Sequence, residues 1–225
     1  MEEALALYRE LKDDTYIASA LSNLAWAVLR PGDYALANAY LEEALEIHRR
    51  IGDKGGMGYV LSGLGEVALR EGRLEQASKL IEESLVVRRE LGHKWGIGAS
   101  LGTWAWIALR QGDSESAFTR LKESMQLRKE IGDRGGIAFC LERMAEVAIG
   151  KHQAEKAARI FGAAESMRAS LRSKIDPVDQ PEYERNLATL HAELGEGNFN
   201  AAWEDGQKMT LEQAVDYALE EVGSV

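Results

Sequence analysis

The chain has 225 residues, 45% hydrophobic and 28% charged, with a formal net charge of −10 at pH 7. That acidity argues against direct nucleic-acid binding, which needs clustered lysine and arginine to neutralise phosphates. The lone Cys140 excludes a disulfide scaffold, and no apolar run approaches the ~18–20 residues of a membrane span, so no membrane partner is expected.

Residues 1–12 read as the second helix of a truncated repeat, since Glu3, Ala4 and Leu5 return as Glu43, Ala44 and Leu45. The start, Met1-Glu2-Glu3, is wrong for a signal peptide, and cytoplasmic residence is the expectation. Beginning halfway through a repeat with no polar cap in view implies a fragment of a longer protein, with more repeats or another domain upstream. It also leaves Leu5, Tyr8 and Leu11 poorly covered, so a homo-oligomer is among the expected partners.

Full repeats then run 13–52, 53–92, 93–132 and 133–172. Leu21, Leu61, Leu101 and Leu141 recur at forty-residue intervals, as do Ala37, Ala77, Ala117 and Ala157, and Leu41, Ile81, Leu121 and Phe161. A fixed period of this size marks a stacked repeat architecture. Within 53–92, Leu61, Leu64, Gly65, Ala68 and Leu69 give the three-and-four spacing of a helix with one buried stripe. The pattern breaks at Glu71-Gly72, then restarts with Leu74, Ala77, Leu80, Ile81, Ser84, Leu85 and Arg88, predicting a second and longer helix. Gly92 ends it, and Asp53 and Asp133 are placed to cap the following helix. Each repeat is therefore an antiparallel helical hairpin, and the fold class is all-α.

After residue 172 the register is lost, and residues 173–225 read as C-terminal capping helices. Pro177 and Pro181 predict a loop over 173–181, with Pro181 opening a helix through Tyr183, Leu187, Leu190 and Leu194 to Gly195. A short segment with Phe199 and Trp203 follows. Thr210 and Gln213 form a capping-box pair before a last helix carrying Leu211, Val215, Ala218 and Leu219.

The chemistry-bearing motifs are weak. Gly63 to Ala68 fits G-x-G-x-x-A but lies inside a helix with no strand before it, so no pyrophosphate turn can form. His48, His93, His152 and His191 have no second ligand one turn away, so neither metal nor cofactor is expected. Glu42-Glu43 and Glu82-Glu83 read as a solvated face. No catalytic residue is assigned, and the chain reads as a non-enzyme.

The combination resembles the tetratricopeptide repeat (TPR), whose pattern W-x2-L-G-x2-Y, turn glycine, A-x3-F-x2-A falls on Leu21, Leu24, Ala25, Val28, Gly32, Ala37, Leu41 and Ala44. The next copy supplies Leu61, Leu64, Gly65, Ala68, Gly72, Ala77, Ile81 and Ser84, and the third Leu101, Trp104, Ala105, Ala108, Gly112, Ala117, Leu121 and Ser124. The fourth departs at the turn, where His152 replaces glycine. The resemblance implies a right-handed α-α superhelix, a TPR-like solenoid. The period is forty rather than thirty-four, so the extra residues are expected in the second helix and the turn after it. The tail, from AEKAARIFGAAESMR through LGEGNFNAAWEDGQKMTLEQAVDYALE, is similar to the end of the repeat region in large bacterial signal-transduction regulators of LuxR, AfsR and MalT type. That resemblance implies the sensor or docking arm of a transcriptional or signalling regulator.

In each first helix the side away from the buried stripe is expected to line the concave surface. It carries Ser19, Ser22, Asn23, Trp26 and Arg30 in the first copy and Tyr59, Ser62, Glu66 and Arg70 in the second. The third gives Ala99, Gly102, Thr103, Trp106 and Arg110, and the fourth Phe139, Glu142, Arg143 and Glu146. Arg30, Arg70 and Arg110 form a ladder that either braces the turns or pairs with carboxylates. Trp26 and Trp106 either pack between repeats or meet a ligand. Resemblance to peptide-binding TPR domains gives Asn23 a polar-clamp role. The predicted groove is thus Asn23, Trp26, Arg30, Tyr59, Glu66, Arg70, Trp106, Arg110, Phe139 and Arg143, holding a protein partner through an acidic or C-terminal peptide or a helix. The alternative is an inducer sensor of MalT type, with Trp26, Tyr59 and Trp106 stacking on sugar rings.

Overall fold

The computed structural model describes residues 2–220; Met1 and residues 221–225, the extreme ends of the predicted first and last segments, lie outside the described residues. Among the described residues there are eleven helices and no strand. The chain forms two compact units, Met1–Ile107 with Asp176–Val178, and Ala108–Ile175 with Asp179–Val225. The first unit contains α1 (Glu2–Leu11), α2 (Asp14–Leu29), α3 (Tyr34–Ile51), α4 (Lys54–Arg70), α5 (Leu74–Glu90) and most of α6 (Lys94–Arg110). The second contains the end of α6, α7 (Ser114–Glu130), α8 (Arg134–Gly150), α9 (Ala154–Ser170), α10 (Gln180–Gln207) and α11 (Leu211–Leu219).

The hairpin turns follow from glycine. Gly72 sits at φ +78°, its N–H donates to the Leu69 carbonyl, and Arg73 N–H reaches back to Ala68 at 2.8 Å. This closes the helix end in the left-handed conformation that a glycine reaches without a Cβ penalty. At the other end Asp53 accepts from Gly56 N–H at 3.0 Å, and Asp133 from Gly136 at 2.9 Å, as N-caps of α4 and α8. The expectation of a longer second helix is met in the first repeat, where α3 has 18 residues against 16 in α2, and is not met in the second. α4 and α5 have 17 residues each, so the extra residues are shared between both helices, and the turns at 71–73 and 91–93 are equally short. In the fourth repeat His152 adopts the left-handed turn (φ 58°) that glycine supplies elsewhere.

Small side chains set the spacing inside each hairpin. Ala37, Ala77, Ala117 and Ala157 are fully buried, next to Leu41, Ile81, Leu121 and Phe161. A Cβ on Gly65 would stand 2.6 Å from Ile81 Cδ1, so the glycine-rich stretch of α4 serves close helix packing. Each large side chain buried here contributes about 1.5–3 kcal/mol.

A second column, at the C-terminal turn of each second helix, is buried although polar: His48, Arg88, Arg128 and Arg168 are 3–7% exposed. Three of the four meet carboxylates. His48 Nδ1 lies 2.9 Å from Asp53, Arg128 pairs with Asp133, and Arg168 with Glu142 and Glu165. Arg88 instead donates to Gly96 O (2.6 Å), Ser100 Oγ (2.9 Å) and Ser62 Oγ (3.0 Å), because His93 stands where the other repeats have aspartate. The space for these side chains comes from Gly56, Gly96 and Gly136, where any Cβ would overlap His48, Arg88 or Arg128.

At the ends, Leu5 is buried at 6% exposure rather than uncovered, and Tyr8 stacks on Tyr16 with centroids 5.1 Å apart; Leu7 and Leu11 are exposed. The predicted helix from Pro181 and the separate segment after it are joined as α10, broken only at Gly195 (φ 71°, ψ 158°). The expected capping box at Thr210 and Gln213 opens α11.

Candidate functional site

The predicted groove residues fall into three groups. In the first unit Trp26 of α2 and Tyr59 of α4 meet with ring centroids 5.8 Å apart, tilted by 49°. With Ala27, Arg30 and Trp95 they line a cleft of about 370 Å³. The Arg30 side chain is 68% exposed, its Nε 4.0 Å from Asp176. Asn23 is exposed on the same helix but does not line the cleft. Burial pushes the Tyr59 phenol up, opposed by Arg88, Trp26 and Arg30. Burial lowers Arg88 to about 10, which leaves it charged at neutral pH. Trp95 was not among the predicted residues. Its signal was a departure from the repeat, since Gly55 and Gly135 occupy the equivalent positions.

The second group, also in the first unit, is closed. Arg70 donates through Nη2 to Glu66 at 2.9 Å, both side chains being largely buried, and its guanidinium lies 4.9 Å from the Trp106 ring centroid. Trp106 itself is 4% exposed, so it meets Arg70 rather than open surface. Arg70 is thus held by a carboxylate one turn earlier.

The third group lies in the second unit and includes residues from α10 that the sequence reading did not connect. Arg110 Nη2 donates to Glu182 at 2.9 Å. Arg143 is 3.0 Å from Glu146 and 4.0 Å from Glu182, with its guanidinium 5.5 Å from the Phe139 ring centroid. Asn186 Nδ2 donates to Glu146 at 3.2 Å. Burial raises Glu146 to about 7, with Arg143 opposing and Glu182 adding to the rise. Glu182 and Asn186 lie about forty residues beyond Glu142 and Glu146, in a predicted helix where the repeat pattern is lost, so the sequence reading did not tie them to α8.

Among the described residues no group of three histidines, cysteines or carboxylates is placed to hold a metal, and no helix is long and apolar enough to cross a membrane. Cys140 is buried, its thiol pushed up by burial, 3.3 Å from Ser124 Oγ.

A family model described as tetratricopeptide repeat matches residues 1–50 and 57–130. No curated protein matches the chain. Among solved structures, the crystal structure of BtubC (BKLC) from P. vanneervenii is similar, with a TM-score of 0.69 over 96% of this chain and 89% of that one. At 18% identity that likeness is one of fold, an all-α helical solenoid. Repeats of this kind generally mediate protein–protein interactions and are generally non-enzymatic scaffolds. With the family model matching more than half of the sequence, the chain belongs to the tetratricopeptide repeat family.

Proposed function

We propose that this chain is a non-enzymatic docking domain, the sensor or docking arm of a larger bacterial transcriptional or signalling regulator in the cytoplasm, holding a peptide or helix of a protein partner on its first-helix faces. The observation that carries the reading is the cleft of Trp26, Tyr59 and Trp95 with an exposed Arg30 at its edge. Tryptophan, tyrosine and arginine are the residues that dominate binding energy where partners meet, and a guanidinium suits a carboxylate. Asn23 adds an exposed amide on the same helix. Glu66, Arg70 and Trp106 do not line the cleft but pair and stack with one another, and Arg110, Phe139 and Arg143 lie in the second unit.

The test is binding of an array of acidic peptides to the unaltered chain and to Arg30→Glu combined with Trp26→Ala. Loss of at least tenfold in affinity is expected, and unchanged binding by the double variant removes the assignment.

A second reading is favoured by one feature. The cleft's volume lies in the range of small-molecule sites, and its aromatic walls suit a sugar ring. A millimolar sugar that raises the melting temperature, with the rise abolished by Trp26→Ala, would select an inducer sensor instead.

A further inference from the structure

α10 is two helical halves that meet at a kink at Gly195, and they differ in anchorage. Beyond Gly195 the helix is fixed to α9 at backbone distance. A Cβ on Gly162 would overlap the Trp203 carbonyl, and one on Gly206 the Arg159 carbonyl. Phe199 and Ala202 are buried in the same contact, at 5% and 2% exposure. Before Gly195 only Leu190 is fully buried, Leu187 and Leu194 are half-buried, and the remaining attachments are polar or aromatic edges. Glu182 pairs with Arg110, Asn186 with Glu146, and the Tyr183 hydroxyl accepts from Arg168 at 3.3 Å while its ring meets Phe161 edge-on. The two halves meet at Gly195, whose φ of 71° and ψ of 158° break the helical backbone, and the His191 ring stacked on Phe199 and the Asn198 amide donating to the Leu194 carbonyl are side-chain contacts across that break.

We propose that residues 180–194 are an internal stand-in for a partner's acidic amphipathic helix, seated on Arg110, Arg143 and Glu146 and able to swing aside about Gly195. The identity of the occupant rests on the docking reading above; the joint does not. The chain's own helix supplies the template for the guest. A carboxylate engages both arginines, an aromatic ring follows directly, and a carboxamide comes one turn later, as Glu182, Tyr183 and Asn186 do here. Charge complementarity selects an acidic guest, because the carboxylate of Glu182 is what Arg110 and Arg143 share. The second half of α10 stays in place during the exchange, held by the close packing at Gly162 and Gly206.

Two measurements on the full chain test this. In hydrogen exchange, amides of 184–194 are expected to exchange at least tenfold faster than those of 199–207, and Glu182→Gln to accelerate only the first set. Equal rates, or a joint response of both segments, would overturn the hinge. In the second measurement a synthetic peptide spanning residues 180–194 is titrated against the unaltered chain and against Glu182→Gln, with circular dichroism confirming unchanged helicity. At least tenfold tighter binding to the variant is expected, because its own helix holds the site less well. Equal binding to both chains overturns the stand-in role. It leaves docking at the Trp26–Tyr59 cleft untouched, since Arg30→Glu reports on that cleft independently.

Discussion

Arg70 lies over Trp106 with its guanidinium carbon 4.9 Å from the ring centroid, while Glu66, one turn earlier on the same helix, holds its Nη2 at 2.9 Å. The planar cation thus stacks its face on an aromatic ring while its edge donates to a carboxylate, with little water near either. Arg70→Ala leaves Glu66 as a largely buried charge without that partner and should cost about 3 kcal/mol. Arg70→Lys should recover only part of this, because an ammonium lacks the flat face that stacks on the indole. Urea unfolding of the three chains, compared through their midpoints, decides it. Equal midpoints for Arg70→Ala and the unaltered chain would show the stacked ion pair to contribute nothing.

His93→Asp should stabilise the protein. It supplies Arg88 with the carboxylate that Arg128 receives from Asp133, and gives α6 the capping residue that opens α4 and α8. Capping alone is worth about 1 kcal/mol. The melting temperature is expected to rise by a few degrees; a fall would mean that the serine and carbonyl partners of Arg88 cannot accommodate a carboxylate beside them.

Two neighbouring glycines should behave oppositely. A Cβ on Gly136 would overlap the Arg128 guanidinium and the Asp133 carboxylate, so Gly136→Ala should destabilise by about 1–3 kcal/mol through overpacking. At Gly135 the nearest such atom is 3.8 Å away, and Gly135→Ala should be neutral or stabilising by up to about 1 kcal/mol through helix propensity. Thermal unfolding of the pair of variants measures the contrast directly.

Glu146 gives the second unit a pH dependence whose sign is fixed. Burial raises its folded-state value to about 7 from 4.5, so the folded chain binds this proton more tightly than the unfolded chain does. Stability from this group is therefore greatest below pH 4.5 and declines as pH rises to about 7, by at most about 3 kcal/mol. Glu146→Gln should flatten that decline, keeping the hydrogen bond to Asn186 available. Denaturant midpoints at pH 5 and pH 8 for both chains test it, and an unchanged slope in the variant would rule Glu146 out as the source.

Most of the hairpin architecture was legible because it depends on residues that repeat. Leu61, Ala77, Ile81 and Gly72 each have one physical task, and that task returns every forty residues with the same side-chain type, apart from His152 at the fourth turn. The buried polar column shares that interval, at His48, Arg88, Arg128 and Arg168, but polar residues carry no signature of burial; only the glycines at 56, 96 and 136 marked where they go. Trp26 and Tyr59 lie on α2 and α4, the first helices of neighbouring repeats, and their rings meet. The sequence could not tell that Arg70 and Trp106 turn toward each other, because rotamer choice leaves no trace in spacing. Nor could it bring Glu182 to Arg110, a pairing 72 residues apart set by how α10 leaves its proline-containing loop.

Asp133 caps the helix that follows it and pairs with Arg128 at the end of the helix before it, and Asp53 likewise caps α4 and meets the His48 ring at the end of α3. One carboxylate therefore fastens two successive hairpins, and loosening either neighbour deprives the other of a partner. Unfolding within each unit should accordingly travel from seam to seam like a zip rather than release hairpins one at a time. The seam at Arg88, lacking that shared carboxylate, is where the zip should first part.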